Sequence, residues 1–596
     1  MKVEYNSGHG NVIKETSDNF SSFLISDEKG SFFSQGIQKN NTFYQGFLCR
    51  FPEKDEWTMF KFLEYLEVVD KKNEKKESHE VKINLEKKEV EKDKICIKFS
   101  GKQSLIISPC SAREKIKLKL FLDPRKIYDF SEFGRKIKIY EEKGIIFAEY
   151  ENNGYKLFLG IKGYLDFSSS DNWIERNYEF DAKRSGKGKW FVFDGIIIHF
   201  DENLAIAQAT TKNELMELIE NAQTNEGAKD IKLNLSISDN DEKIAFLCSK
   251  KAMDELIVDN YGIYAGYYWF FQYWTRDESI SLGGLIKEDK KEVVKNVIKR
   301  LFTNILEDGR LPNRFPHAEL GSADGIGWAV KRFSESINFF DENEKKEIIG
   351  KIEISCKRLL EHYSNDDFII NNPKETWMDT TGNTDDVREG AMIEIQALQL
   401  NMYKLLKENS KDSNKYQELE ENLRNKVREL FFKNNVLCDG IKKKGNTWNQ
   451  DETQRPNIFL AYYIYPELLE QEQWKQAFDS ALEKLWLDWG GLSTIDKNNS
   501  LFVSDYTGEN DDSYHRGDSW YFVNNIAAIA MHRLDKDKYN EQINKIKQAA
   551  IKDILELGIL GGASEVSSAS EQRAEGTWQQ AWSVSTFIEL IYELSN

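Results

Sequence analysis

Between residue 1 and about 235 the chain alternates polar and apolar positions in short runs: CIKFS, SLIIS, KLKLFL, KIKIY, GIIFAEY, YKLFLGI and KWFVFDGIIIHF. A two-residue period sends successive side chains to opposite faces of a strand, and the Gly, Asp and Asn residues between the runs supply turns. This pattern predicts antiparallel sheets packed as a sandwich. The Lys/Glu-dominated segment from Lys71 to Lys94 reads as an exposed excursion, a long hairpin, and is assigned no function. KNELMELIEN, from Lys212 to Asn221, has helical spacing and leads out of the β-region.

Beyond about residue 245 the apolar period becomes that of an amphipathic helix, in runs such as KKEVVKNVIKRLFTNIL, NEKKEIIGKIEISCKRLLEHY, GAMIEIQALQLNMYKLLKE, NKYQELEENLRNKVRELFF, WKQAFDSALEKLW, YFVNNIAAIAMHRL and TWQQAWSVSTFIELIYEL. Long loops rich in Gly, Asp, Asn and Trp separate them. No strict repeat is visible, which argues against a solenoid. Helical hairpins with chemically loaded loops on one side fit a closed toroid, because a rigid scaffold is where loop-borne sites are built. The expected organisation is an N-terminal β-sandwich domain over residues 1–240 and an all-α catalytic domain over 241–596.

Composition narrows the partners. Lys plus Arg number 82 against 100 Asp plus Glu, a formal charge of -18 that disfavours nucleic acid and anionic membrane and leaves a neutral polymer unopposed. Aromatic residues, at 13%, supply rings that can cover the apolar faces of sugars, although extra core volume is the preferred explanation. The six cysteines are dispersed without a C-x-x-C pair and read as reduced core residues, with neither zinc nor a disulfide framework indicated. The N-terminus lacks the apolar run of a signal peptide and no stretch of eighteen apolar residues occurs, so a cytoplasmic protein is expected. A homo-oligomer is compatible with the sequence.

The loops of the helical half concentrate Trp, Tyr, Arg, Asp, Glu and Asn beyond what turn geometry needs. In YWFFQYWTRD, Arg276 and Asp277 follow an aromatic run that includes Trp274, setting donors and acceptors for hydroxyls beside stacking surfaces. The alternative there is a buried aromatic wall with a capping Asp. In SADGIGW, Asp324 is a helix N-cap or a hydroxyl acceptor, ahead of Trp328. ETWMD places Asp379 beside Trp377, where desolvation can raise a carboxyl pKa and suit it to general acid work. Arg388 and Glu394 follow an Asp-rich loop, Arg455 opens an apolar helix, and YHRGDSW opens another with His515 and Trp520. Glu565 lies in a Gly/Ser-rich loop before WQQAWS, which holds Trp582.

Taken in order from about Trp269 to Glu593, these loops resemble those of the amylo-alpha-1,6-glucosidase domain of glycogen debranching enzymes, and more distantly those of glucoamylases. W-T-R-D, D-G-x-x-P-N, A-D-x-x-x-W, T-W-M-D, R-x-G-x-x-x-E-I, R-P-N, Y-H-x-G-x-x-W, a late Glu and Q-A-W-S carry the resemblance. It implies an (α/α)6 toroid and an inverting glycoside hydrolase acting on α-glucans, with Asp379 as general acid and Glu565 as general base. Arg276 and Asp277 match the pair that grips the terminal sugar. Trp274, Asp324, Trp328, Trp377, Arg388, Glu394, Arg455, His515, Trp520 and Trp582 fall among the substrate-binding positions. No counterpart of the separate glucanotransferase domain is present, and the scheme needs no metal or cofactor. Asp379 would be held protonated by apolar neighbours while Glu565 stays ionised to orient water.

Other readings remain open at this stage. α-1,4 ends or trehalose are alternatives to α-1,6 branches, giving a glucoamylase or a trehalase-like enzyme. Helical toroids also host sugar epimerases that use His as acid and base, whereas these loops favour carboxylates. Asp385-Asp386-Val387-Arg388-Glu389 has the form of a diphosphate-binding string but reads better as a polar loop entering a helix. A non-catalytic glucan-binding protein could keep Arg276, Asp277 and the Trp residues, and the presence of both Asp379 and Glu565 argues against it.

Overall fold

The computed structural model describes residues 1–53, 59–75, 80–131, 134–152, 154–222, 231–315 and 321–595. The chain divides into two compact units, Met1–Asp259 with Ile554–Gly562, and Asn260–Asp553 with Ala563–Asn596. Three helices belong to the first: α1 (Glu179–Ser185), α2 (Lys212–Asn221) and α3 (Asn240–Leu256). The break expected at 240/241 falls in the first turn of α3, which packs against the strand Gly10–Glu15 and belongs to the first unit.

The first unit is built on two large sheets. One has ten strands and runs from Ile137–Glu142 at one edge to Gly10–Glu15 at the other; the second runs from Asp166–Ser169 to Ser22–Ser26. Pairing is antiparallel with one correction to the expectation: Lys2–Ser7 lies parallel to Glu80–Asn84. These strands are far apart in the chain, and a long connection is what parallel pairing requires. Residues 71–75 of the Lys/Glu-rich segment are exposed as expected, but the rest of its described part is no excursion from the fold. Glu80–Asn84 and Glu89–Lys92 form an antiparallel hairpin within the ten-stranded sheet, burying Val81, Ile83 and Val90; positions 76–79 of that segment lie outside the described residues. Ser22–Ser26 and Phe32–Gly36 are buried at every position, so their sequences show no alternation. Helix α2 starts where Thr211 accepts from the Glu214 N–H, and it seats Leu215 and Ile219 against Ile145, Phe147 and Phe158.

Four cysteines are buried as expected, but Cys96 is half-buried and Cys110 exposed, their sulfurs 3.1 Å apart. They share one sheet face with Glu91, which pairs in register with Cys96, so the reading of all six as core residues fails for these two. No helix among the described residues is long and apolar enough to cross a membrane.

The second unit is helical: α4 (Thr275–Lys287), α5 (Lys291–Thr303), α6 (Gly325–Glu335), α7 (Glu342–Tyr363), α8 (Ile393–Asn409), α9 (Ser413–Phe431), α10 (Asn457–Ile464), α11 (Gln471–Leu485), α12 (Tyr521–Asp535), α13 (Asn540–Glu556, its last residues in the first unit) and α14 (Ala581–Leu594). Among these, α4, α6, α8, α10, α12 and α14 pack in that cyclic order, α14 returning to α4. Of the amphipathic runs read from sequence, four are the intervening helices α5, α7, α9 and α11, while α8, α12 and α14 belong to the cycle and α13 was not read. Along α9 the buried residues are Tyr416, Glu420, Leu423, Val427 and Phe431, a single helical stripe, whereas every residue of α10 is buried. Arg332 of α6 donates to Glu589 of α14 at 2.9 Å, and Tyr463 of α10 donates to the same carboxylate, tying three inner helices together by buried polar groups. Every predicted site residue except Trp328 stands in a loop that enters an inner helix or in that helix's first turn; Trp328 lies a turn into α6.

Candidate active site

Arg276 and Asp277 occupy the first turn of α4, behind Trp274 at its N-cap position. Arg276 donates to Asp379 Oδ2 at 3.2 Å and lies 3.6 Å from Asp324 Oδ1. Asp324 does stand at the N-cap position of α6, but its side chain does not cap. Ser322 Oγ accepts from the Gly325 N–H in its place and donates to Asp324 Oδ1 at 2.7 Å, leaving the carboxylate beside Arg276. Asp277 accepts from Gln580 Nε2 at 3.0 Å, and burial together with the charges of Glu565 and Asp379 pushes it up to about 8 against the pull of Arg276.

Glu565 is buried, and both of its oxygens are hydrogen-bonded. Tyr514 O–H donates to Oε1 at 2.7 Å and the Thr577 N–H to Oε2 at 3.1 Å. The close approach of that second donor depends on Gly576, whose φ is +63° and where a Cβ would lie 2.3 Å from Glu565 Oε2. His515, the next residue after Tyr514, sets Nε2 3.4 Å from Asp379 Oδ1. Two consecutive residues therefore hold the two carboxyls, one each.

The electrostatics reverse the protonation expected from sequence. Burial pushes Asp379 up, but its side chain is 31% exposed, and the His515 hydrogen bond with the Arg276 charge outweighs burial, holding it below the usual aspartate range. Trp377 does not keep it protonated. Glu565 is raised to about 7, first by burial and further by the charge of Asp379, against the donors from Tyr514 and Thr577. Of the two carboxyls, Glu565 is therefore the one that holds a proton more readily. His515 is lowered to about 4 by burial, which outweighs the pull of Asp379, and is neutral at pH 7.

The remaining predicted residues divide into a wall and a frame. Trp377 donates Nε1–H to Asn457 Oδ1 at 2.7 Å and meets His515, Trp520 and Phe522 edge-on. Trp520 donates to the Tyr514 carbonyl at 2.8 Å and stacks on His515 with centroids 5.2 Å apart, while Trp582 stacks on Phe522 at 4.3 Å. The indoles thus fix Tyr514 and His515. Arg388 is saturated by Glu394 and Asp439 and also donates to Thr376 Oγ1 at 2.9 Å, which braces the loop that carries Trp377 and Asp379. Arg455 donates twice to Asp386, at 2.9 and 2.7 Å, and to the His515 carbonyl at 3.2 Å. Arg388, Glu394 and Arg455 are thus held by partners within the protein, and Asp386 of the diphosphate-like string is one of those partners. Trp328 lies a turn into α6 with its ring near Tyr463 and Arg332.

Tyr514, Thr577, Gln580, Asn457, Asp439 and Asp511 were not singled out from sequence. Asp511, raised to about 6 by burial and then by the Asp379 charge, shares the same field. Tyr514, Asn457 and Gln580 lie inside the Y-H, R-P-N and Q-A-W-S motifs, whereas Thr577 acts through its backbone amide and Asp439 and Asp511 sit in loops without a signature. Arg276 Nε, Asp324 Oδ2, His515 Nδ1 and the Nε1 atoms of Trp274 and Trp582 are buried without a partner in the protein, an array of donors and acceptors suited to hydroxyl groups.

A family model described as amylo-alpha-1,6-glucosidase matches residues 244–589. No curated protein matches the sequence. Among solved structures, a bacterial glucoamylase complexed with acarbose is 11% identical and aligns over 97% of this chain and 94% of its own with a TM-score of 0.63, a likeness of fold. A GH63 mannosylglycerate hydrolase from Thermus thermophilus in complex with glucose is 12% identical over 58% of this chain and 99% of its own, with a TM-score of 0.43.

Proposed function

The chain belongs to the amylo-alpha-1,6-glucosidase family, and on that premise we propose that it is an inverting α-glucosidase of the debranching type. It releases glucose from α-1,6 branch points of glycogen or limit dextrin, on an (α/α)6 toroid in which Asp379 and Glu565 are the catalytic carboxylates. The observation that carries this reading is the Tyr514–His515 pair, which binds Glu565 through one residue and Asp379 through the next, so that both carboxyls serve one electrostatically coupled site.

Asp379 donates its proton to the glycosidic oxygen as the bond from that oxygen to C1 breaks. Glu565 accepts a proton from a water whose oxygen attacks C1 from the opposite face, and the configuration inverts. Tyr514 and Thr577 hold both oxygens of Glu565 in a fixed orientation, as a base that must aim one water requires. Arg276, Asp324 and Asp277 face the terminal sugar. The productive state puts the proton on Asp379, the minor of the two singly protonated forms in the resting site, because Glu565 has the higher pKa. That pKa order favours one second reading, in which Glu565 is the donor and Asp379 the base.

Incubation with panose, isomaltose, maltotriose, limit dextrin and trehalose tests the linkage. Glucose from panose, isomaltose and limit dextrin but not from maltotriose or trehalose is expected; preferential release from maltotriose would make the enzyme a glucoamylase instead.

A further inference from the structure

The loops entering α12 and α14, together with α13, border an open cavity of about 960 Å³ that no residue of the catalytic group lines. Its platform is Trp489. The indole Nε1–H donates to the Ala569 carbonyl at 3.3 Å, and the ring lies 6.2 Å from that of Tyr521. One end of the indole rests against Gly491, where a Cβ would come within 2.5 Å of the ring, so the residue after Gly490 must be small for Trp489 to take this pose. The two loops that form the walls are joined where the Ser570 N–H donates to the Ser504 carbonyl at 3.0 Å.

Around this fixed ring the lining is mixed. Trp486 and Phe502 add apolar surface, Asn544 and Gln548 are exposed amides on α13, and the charged lining residues are of both signs. A lining with rigid aromatic faces, neutral amides and no single sign of charge suits a neutral ligand with apolar CH faces and many hydroxyls. The volume is at the upper end for small-ligand sites, which accommodates several sugar rings rather than one. The wall that includes Ala569 and Ser570 is the same loop that carries Glu565.

We propose that this cavity is a second glucan-binding site, which takes a segment of linear α-1,4-linked oligosaccharide and so holds the polymer by its outer chains. The proposal rests on the α-glucan reading of the catalytic site. Trp489 is the stacking residue, and Asn544 and Gln548 donate and accept at the sugar hydroxyls.

The probe is β-cyclodextrin, an α-1,4-linked ring with no chain end for an exo-acting catalytic site, titrated calorimetrically into the full-length protein. It should bind the wild type at one site. Trp489→Ala should weaken binding at least about tenfold, as loss of a central aromatic anchor does, and the surface variant Asn544→Ala/Gln548→Ala should weaken it several-fold while keeping the fold. Both should release glucose from isomaltose at the wild-type rate and show a raised KM with unchanged kcat on limit dextrin. The proposal is overturned if β-cyclodextrin does not bind the wild type, if both variants bind it as tightly, or if cellohexaose binds equally well. Were isomaltose left intact by the wild type while Trp489-dependent binding persisted, the catalytic reading would fail and the binding site would stand.

Discussion

Removing one hydroxyl separates the two assignments of acid and base. Tyr514→Phe deletes the donor 2.7 Å from Glu565 Oε1 and leaves Thr577 on Oε2. A hydrogen bond to a charged group is worth roughly 1.5–3 kcal/mol, and about 1.4 kcal/mol corresponds to one pKa unit, so the Glu565 pKa should rise by about one to two units from its value near 7. The sign follows from the donor favouring the ionised carboxylate, so its loss delays ionisation to higher pH. The pair is active with one proton, and kcat/KM falls above the pKa at which that last proton leaves, about 7 in the wild type. If Asp379 is the donor, the active form is the minor one. Raising the Glu565 pKa then moves the basic limb up, lowers the plateau by about 10- to 100-fold, and leaves the rate far above the limb unchanged. With Glu565 as donor the plateau would hold and the high-pH rate would rise. The assay is kcat/KM for isomaltose from pH 4 to 10, and a basic limb that stays put in the variant would refute the electrostatic reasoning altogether.

Further outcomes follow from the same geometry. Asp379→Asn should lose about 10²- to 10⁴-fold on isomaltose yet hydrolyse α-glucosyl fluoride, whose leaving group needs no proton, whereas Glu565→Gln should lose activity on both; comparison of initial rates checks this. Arg388→Met strands Glu394 and Asp439 as buried charges and should destabilise the protein by about 3–5 kcal/mol, seen in denaturant unfolding. Gly576→Ala should lower kcat and stability together, since its Cβ meets Glu565 at a positive φ, and kcat equal to wild type would contradict the proposed seat of Glu565.

The period of apolar residues located the helices because the outer ones expose one face, as α9 does. It understated the inner ones, of which α10 is apolar all round. Fully buried strands such as Phe32–Gly36 lost their alternation for the same reason. Charge misled in the Lys/Glu-rich segment, where most of the ions occupy the more solvated face of a hairpin and Lys92 is buried beside Asp93. Site residues were legible as types clustered in loops, and Arg276, Asp324, Asp379, His515 and Glu565 do converge. What composition could not reveal is which polar residue binds a neighbour and which is left for a ligand. Arg388 and Arg276 look alike in sequence, but the first is enclosed by two carboxylates and a hydroxyl while the second keeps a buried Nε without a partner. The protonation of Asp379 failed to be legible because Trp377 is only two positions away in sequence, whereas Arg276 and His515, which decide it, come from distant loops.

The central claim is that Asp379 and Glu565 act on opposite faces of one α-linked glucose. It is tested most directly by ¹H NMR of the first glucose formed from panose, recorded before mutarotation. β-Glucose appearing ahead of α-glucose is the predicted result; α-glucose appearing first would mean retention and would contradict the two-carboxylate inverting mechanism.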